Sequence, residues 1–357
     1  MRIAIVGAGL AGLACAHELE RLGFTAQLFE KEAQVGKRAT VVETMAQFMH
    51  LHPRQDILAH LQQDLHLPFQ PANHIHQAVL HGPHHKAQIT GHIGYTTVRG
   101  ADERSPENQL ARHVRSPITY GRAPDVYALA REYDWVVVAT GDPTWAKEFL
   151  QWQTDIVWSI RGAVVTGEFN PSRLDFFFRS AYADAGYAMV SPIDERRATV
   201  GVAVPNITAG ELDRFWQAFR MGERRRWTAE EEQFQFERLE YGTVRACVLG
   251  NVLLVGAGAG FAEGLSLSGQ CMALTSGVCA ARQILLQDRS LERLHRRWKV
   301  RYQQIHNLRR VVDGWGDPEM DLFVRSVSLG GKLAAFAPWN LVAPAGMVAD
   351  LFLPPEP

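Results

Sequence analysis

The chain has 357 residues, enough for two domains sharing an interface, since single cores stop growing near ~250–300 residues. Lys+Arg (37) and Asp+Glu (38) nearly cancel to a formal charge of -1, which removes any global attraction to nucleic acid. No stretch reaches the roughly 18 uncharged apolar residues of a membrane span, and residues 2–6 already read as a strand rather than a signal peptide, so a cytoplasmic protein is expected. Cys15, Cys247, Cys271 and Cys279 sit in apolar surroundings without metal or dithiol spacing and read as reduced core residues.

The first element is an apolar run at residues 2–6, followed by Gly7, Ala8, Gly9, Leu10, Ala11 and Gly12 and then a helical pattern to about residue 22. In such a strand–turn–helix unit Gly7 allows the tight turn, Gly9 lets a pyrophosphate approach the backbone, and Gly12 permits close packing of helix on strand. The helix start then offers its unpaired N–H groups to the phosphates. A second strand, residues 25–29, ends at Glu30, where a carboxylate can accept hydrogen bonds from the hydroxyls of an adenosine ribose. This pattern suits NAD and FAD equally. Lys31 follows, and then residues 35–40 resemble the glycine-arginine segment found after the second strand in FAD oxidoreductases; Lys37 replaces its second glycine, and Arg38 is placed to reach the pyrophosphate.

Eleven of the 14 histidines fall between His50 and His113, including the pairs His50/His52 and His74/His76, which would share a face of an extended strand. No Cys, Asp or Glu completes a ligand set, so these histidines read as surface decoration and no metal is expected. Arg99 precedes a helix expected at residues 106–114. Residues 134–138 form a further buried strand leading to Ala139, Thr140 and Gly141, similar to the ATG segment of FAD proteins. Strand-like segments at 87–99, 156–169, 173–181, 186–192, 198–204 and 234–248 suggest an antiparallel sheet beside the Rossmann part. The acidic residues 230–232 beside the arginines 224–226 read as an exposed loop.

Residues 251–255 are a buried-strand run that stops at Gly256, Ala257 and Gly258, and a new helix begins near Gly269 and continues to about residue 286. This stretch resembles, without gaps, the flavin segment of the geranylgeranyl reductase branch of the para-hydroxybenzoate hydroxylase superfamily. The resemblance implies FAD, with N–H groups around Ser268, Gly269 and Gln270 facing the flavin ring and stabilising charge as it is reduced. Where the family places an acid on the ribityl chain, this chain has Ala257, and Glu263 lies out of register for a simple swap. Arg99 matches the arginine before the equivalent helix in the superfamily, and the resemblance makes it a candidate for cofactor contact, with a surface salt bridge as the alternative. Residues 187–203 are similar to the family's substrate-strand motif, keeping Tyr187, Pro192 and Gly201, while Met189 and Ser191 replace its tryptophan and phenylalanine. Tyr187, Met189 and Ser191 would face one side of the strand.

The sequence therefore implies an α/β protein with a Rossmann-type FAD-binding domain (residues 1–50, 96–148 and 244–290), interleaved with an antiparallel β-sheet substrate domain (51–95 and 149–243) and followed by a C-terminal helical segment (291–357). The implied reaction is reduction of a double bond in an apolar, isoprenoid-like small molecule, with NAD(P)H as a candidate electron donor. No acid or base stands out. A flavin monooxygenase or amine-oxidase-like enzyme, and a non-catalytic dinucleotide-binding sensor or scaffold, are the alternatives; halogenase chemistry is disfavoured because no Trp-x-Trp-x-Ile-Pro motif occurs. The basic stretch Arg293, Arg296, Arg297, Lys299, Arg301, Arg309 and Arg310, with the apolar tail at 333–353, suggests either peripheral contact with an anionic membrane or terminal helices with solvated arginines.

Overall fold

The computed structural model describes residues 1–47 and 55–336; His50 and His52, and the tail beyond residue 336, lie outside the described residues. Strand β1 (Ile3–Val6), buried along its length, leads through the glycine turn into α1 (Leu10–Arg21), then β2 (Gln27–Phe29) and β3 (Val41–Ala46). A short helical segment follows, α2 (Ile57–Ala59) with a π turn over His60–Asp64, before β4 (Asn73–His81) and β5 (Lys86–Arg99). Next come α3 (Pro106–Ala111), β6 (Ile118–Thr119), α4 (Val126–Glu132), β7 (Trp135–Val138) and α5 (Thr144–Glu148). The central run is β8 (Trp152–Thr166), β9 (Arg173–Phe177), α6 (Ser180–Ala183), β10 (Tyr187–Pro192), β11 (Arg197–Pro205), α7 (Ala209–Glu223) and β12 (Ala229–Val244). It closes with β13 (Val248–Leu249), β14 (Val252–Leu254), α8 (Gln270–Leu286), α9 (Ser290–Asp313) and α10 (Asp317–Phe336).

These strands make two sheets. The first, in order β13-β14-β7-β1-β2-β6, is parallel apart from the β13–β14 edge pair, as expected of a Rossmann half. Helices α1 and α8 pack tightly beside each other on it, because Gly277 lets the chains approach: a Cβ there would stand 2.1 Å from the carbonyl oxygen of Ala11. The second sheet runs β12-β8-β11-β10-β9-β4-β5-β3 and is antiparallel except where β4 and β9 pair in parallel.

Side-chain alternation gives this second sheet two distinct faces. Phe177, Ala188, Val190, Val200 and Val202 pack against Leu212, Phe215, Trp216 and Phe219 of α7. The opposite face turns Leu174, Phe176, Tyr187 and Met189 toward a cavity. Helix α7 is held at its start by a capping box between Thr208 and Glu211.

Several segments differ from the sequence expectation. Strand β9 ends at Phe177, and its expected continuation coils into α6. The helix expected to reach residue 114 stops at Ala111. Glu230 to Glu232 are not in a loop but begin β12, where pairing with β8 satisfies the backbone and leaves the acidic side chains at a sheet edge. β3 and β4, which the sequence did not announce as strands, complete the second sheet, and β5 carries that sheet as far as Arg99. The terminal helices also depart from expectation: α9 buries Leu294, Trp298, Tyr302 and Ile305 on the body, but Arg301 and Arg309 lie on that packed face too and are buried rather than solvated.

Candidate functional site

A continuous cavity of about 1310 Å³ runs from the glycine turn after β1, between the two sheets, to α9 and α10. Its narrow polar arm is built by β1 and α1. Gly7 takes φ +106° and its backbone sits so close to Ala139 that a Cβ would stand 2.4 Å from the Ala139 oxygen; at Gly12 a Cβ would meet the Gly7 oxygen at 1.9 Å. Gly9 is different: a Cβ there meets no protein atom within 4 Å, so the space it leaves open belongs to the cavity. Gly7, Ala8, Gly9, Leu10 and Ala11 all line the cavity, whereas Gly12 faces the strand, as its packing role requires.

Helix α1 begins at Leu10 with no side chain capping it and no acid in its first turn, so its first N–H groups remain for a ligand. Glu30, at the end of β2, accepts hydrogen bonds from the N–H groups of Ala8 (2.8 Å) and Glu32 (3.0 Å) and borders the same arm with the exposed Lys31. Ala139, Thr140 and Gly141 form the opposite lip, where Thr140 Oγ1 donates to the carbonyl of Asp142 (3.1 Å).

The second end of the chain arrives beside the first. Gly256 and Ala257 line the cavity, and α8 starts at Gln270 after Gly269, again without a capping side chain. Two unfilled helix N-termini thus face one cavity. Ser268 and Gly269 line it as well, but the Ser268 N–H is directed to Glu263 (3.2 Å) and is not available to a ligand, which corrects the expectation for that residue. Glu263 folds back into its own loop, where its carboxylate also accepts from Leu265 N–H (2.6 Å) and Ser266 N–H (3.0 Å). Burial raises the Glu263 pKa against these bonds. It shapes the loop rather than replacing the missing acid at Ala257.

Gln270 is almost wholly buried and accepts from Thr97 Oγ1 (2.8 Å). Its amide nitrogen lies beside Glu43, which it helps to keep charged, but has no hydrogen bond of normal geometry. Buried donors of this kind ordinarily find a partner.

A charge cluster underlies the wall between these ends. Arg99 is 8% exposed and donates to Glu43 (2.7 Å) and, through Nε, to Glu107 (2.7 Å). It also lines the cavity, so it is a buried ion-paired residue at the site rather than a surface salt bridge. Burial would raise the Glu43 pKa, but Arg99 and Arg38 outweigh it and hold the carboxyl below its usual range. Arg38 is exposed, opens into the cavity and lies over the Phe236 ring at 5.8 Å.

Beyond the polar arm the cavity becomes apolar, with Ile160, Leu174, Phe176, Tyr187 and Met189 from the sheet facing Leu308, Val312 and Phe323 of α9 and α10. Ser191, expected beside Tyr187 and Met189, is fully buried at the end of β10 and does not border the cavity; its hydroxyl lies 3.5 Å from the Met189 sulfur. Among the residues that the sequence did not mark as site residues, Glu43, Tyr241 and Arg309, the last expected only in the basic stretch of the terminal helices, reach the site from β3, β12 and α9. None belongs to a spaced motif; each is delivered by strand register or helix packing.

The histidines, expected to decorate the surface, do not all do so, since His60 and His81 are buried. His74 and His76 rings lie 6.5 Å apart, His81 pairs with Asp175 and His85 with Asp321, and no metal-binding group of three or more His, Cys, Asp or Glu residues occurs among the described residues. Among those residues too, no helix is long and apolar enough to cross a membrane.

The same arrangement of sheets occurs in known structures. Over 98% of this chain and 95% of the other, it superposes on a geranylgeranyl bacteriochlorophyll reductase-like protein of Thermoplasma acidophilum (TM-score 0.72, 16% identity). A flavin-dependent brominase gives a TM-score of 0.68 over 98% of this chain and 97% of that one, at 14% identity. The fold is that of the FAD-dependent oxidoreductases. A p-nitrophenol 4-monooxygenase from Pseudomonas putida shares this flavoprotein fold (TM-score 0.65, 14% identity, 98% and 97% covered). In sequence, residues 5–59 match the NAD(P)-binding Rossmann-like domain. Over 208 residues the chain is 27% identical to digeranylgeranylglycerophospholipid reductase 2 of Methanothermobacter thermautotrophicus, a match that covers 53% of this chain and 51%, about half, of that relative's length.

Proposed function

We propose that this protein is an FAD-dependent oxidoreductase that reduces a double bond in an apolar, isoprenoid-like substrate. The observation that carries the reading is one cavity with two chemically distinct ends, a polar arm faced by two uncapped helix N-termini and an apolar lobe faced by the second sheet. FAD supplies two-electron hydride chemistry when bound. The chain's own residues do the rest. Gly9 leaves room for the pyrophosphate, and the N–H groups at the start of α1 neutralise it. Glu30 receives the ribose, and Lys31 and Arg38 border the phosphate path. The α8 terminus, through Gly269 and Gln270, places positive dipole charge where a reduced ring needs it. Arg99 orders the wall by fixing Glu43 and Glu107. Tyr187 and Met189 contact the substrate from β10.

Support for an apolar substrate comes from the lining of the lobe and from the relative named as a lipid reductase. NAD(P)H is the proposed electron donor. The protein is proposed to be cytoplasmic and to touch a membrane surface through its C-terminal segment, where the exposed face of α9 carries Arg293, Arg296, Arg297 and Lys299 beside Val300, which is 64% exposed. The test is to load the purified protein with FAD, confirm flavin absorption, and ask whether NAD(P)H bleaches it and an apolar alkene restores it. A second reading, a flavin monooxygenase, is favoured by the fold shared with the p-nitrophenol enzyme. A flavin hydroperoxide on mixing the reduced protein with oxygen and substrate would select it. FAD binding without reduction by any donor would select a sensor or scaffold.

A further inference from the structure

Strand β12 loses its register with β8 three times, the first between Glu230 and Glu232, and the other two beside the cavity, between Phe236 and Leu239, where Arg238 takes φ 54°, and between Tyr241 and Gly242. Irregularities of this kind re-aim side chains and are frequent beside active sites. Here Arg238, Leu239, Glu240 and Tyr241, which a regular pleat would send alternately to opposite faces, all border the cavity. Glycine follows of necessity: a Cβ on residue 242 would stand 1.9 Å from the carbonyl oxygen of Gln153. On the other side, a Cβ on Gly264 would stand only 3.4 Å from that of Tyr241, so the tyrosine is wedged under the loop that leads to α8.

Other tyrosines of the chain, only the first of which borders the cavity, have their hydroxyls engaged. Tyr187 donates to the Ser266 carbonyl (3.2 Å), Tyr95 to Asp56 (2.8 Å) and Tyr182 to Glu223 (3.2 Å). Tyr241 is part-buried and borders the cavity, and its hydroxyl makes no hydrogen bond to another of the described residues. It borders the same cavity as Arg38 and Glu43 of the polar arm and Tyr187 of the apolar lobe. Burial, and after it the charge of Glu43, push the phenol pKa well above its ordinary value. At any physiological pH the group is therefore a donor and not a base.

Resting on the double-bond reductase reading above, we propose that Tyr241 is the catalytic proton donor of the reaction. Hydride, with both electrons, passes from the reduced flavin to one alkene carbon. The π bond breaks, and the O–H proton of Tyr241 forms the new C–H bond at the other carbon. The flavin is oxidised, the alkene is reduced to an alkane, and the tyrosinate regains its proton from water.

The test uses the full-length FAD-loaded protein and a C20 all-trans polyprenyl alcohol in non-ionic detergent. The first readout needs no turnover. In oxidised protein labelled with 13Cζ-tyrosine, the resonance that Tyr241→Phe removes should shift when the alcohol is added; a resonance that stays put overturns the proposal. For the second, anaerobically reduced protein is mixed with the same alcohol. Tyr241→Phe should bind FAD as the wild type does but reoxidise at least ~100-fold more slowly, the usual lower range for loss of a general acid. Tyr127→Phe, on an exposed helix, should leave the rate unchanged. Equal rates for Tyr241→Phe and wild type sink Tyr241 alone, whereas wild-type flavin that the alcohol never reoxidises sinks the reductase reading and the proton donor with it. If Tyr241→Phe does not fold, 3-fluorotyrosine at position 241 keeps the shape, and a rate indifferent to the fluorine overturns the proposal.

Discussion

The Glu30 carboxylate accepts a hydrogen bond from the Ala8 N–H at 2.8 Å, joining the end of β2 to the middle of the glycine turn. The acid is thereby held in place before any dinucleotide arrives, so little ordering is left for binding to supply. Replacing Glu30 with Gln keeps the shape but removes the charge. Hydrogen bonds to charged groups are worth about 1.5–3 kcal/mol, so the FAD dissociation constant should rise by tenfold or more, measured by flavin fluorescence quenching. An unchanged constant would remove Glu30 from the ribose site.

Gly9 and Gly12 should separate binding from folding. Both lie in the same turn, but a Cβ on residue 9 enters the cavity while one on residue 12 enters the Gly7 carbonyl at 1.9 Å. Gly9 also sits at φ -85°, which any residue adopts. Gly9→Ala is expected to melt within a degree or two of wild type and to lose most of its FAD affinity. Gly12→Ala should lower stability itself, by about 2–4 kcal/mol, as overpacking against rigid backbone does. Denaturant unfolding of the two apoproteins, beside their FAD titrations, checks both halves.

Where a residue's role comes from its own type and local spacing, the sequence announces it. Gly7, Gly9, Gly12 and Glu30 belong to one strand–turn–helix unit, and the positions they occupy follow from that unit's geometry. Gly269 and Gln270 were legible for the same reason, as the start of a helix after a glycine-rich turn. Tyr241 and Arg309 were not. The first reaches the cavity because β12 slips register, and the second because the apolar stripe of α9 turns it inward; both facts depend on partners far away in sequence. Ser191 failed by the converse route. Strand alternation put it on the correct side of β10, but the strand end passes under neighbouring structure and the cavity stops at Met189. Alternation decides a face, and only packing decides whether that face is open.

On the far side of the second sheet, Asp175 is a stability residue with a pH signature. It is 6% exposed and is bound by His81 Nε2 (2.6 Å) and by Arg173 Nη2 (2.6 Å) and Nε (2.8 Å). Burial raises its pKa, but the His81 and Arg173 hydrogen bonds prevail and hold it below the ordinary carboxylate value. A carboxyl with a depressed folded-state pKa contributes stability that is present above its unfolded value of about 3.9 and is lost as pH falls through the folded one. Asp175→Asn should therefore cost about 2–3 kcal/mol at neutral pH, somewhat less than a fully enclosed pair because Arg173 reaches solvent. The gap from wild type should close as pH drops below about 4. Urea midpoints measured across that range would show a constant gap if the ion pair carried no weight.

Ala257 stands where the resembling flavin segment has an acid, and the structure leaves that place unfilled by any substitute: Ala257 borders the cavity, while Glu263 spends its carboxylate on Leu265, Ser266 and Ser268. On the cofactor site proposed above, affinity for FAD would then rest on the two helix termini and Glu30. Ala257→Asp returns an acceptor for sugar-alcohol hydroxyls at a point already open to the cavity, and should tighten FAD by about tenfold, or ~1.4 kcal/mol. The gain should appear only in the presence of cofactor. With FAD in excess the variant should melt at a higher temperature than wild type, because a ligand that binds the native state alone stabilises it in proportion to the logarithm of its affinity. Without FAD the two should melt together, or the variant slightly lower through the cost of the added charge. A variant whose FAD titration overlays that of wild type would mean that the flavin chain does not pass Ala257, and the path of the cofactor between α1 and α8 would have to be redrawn.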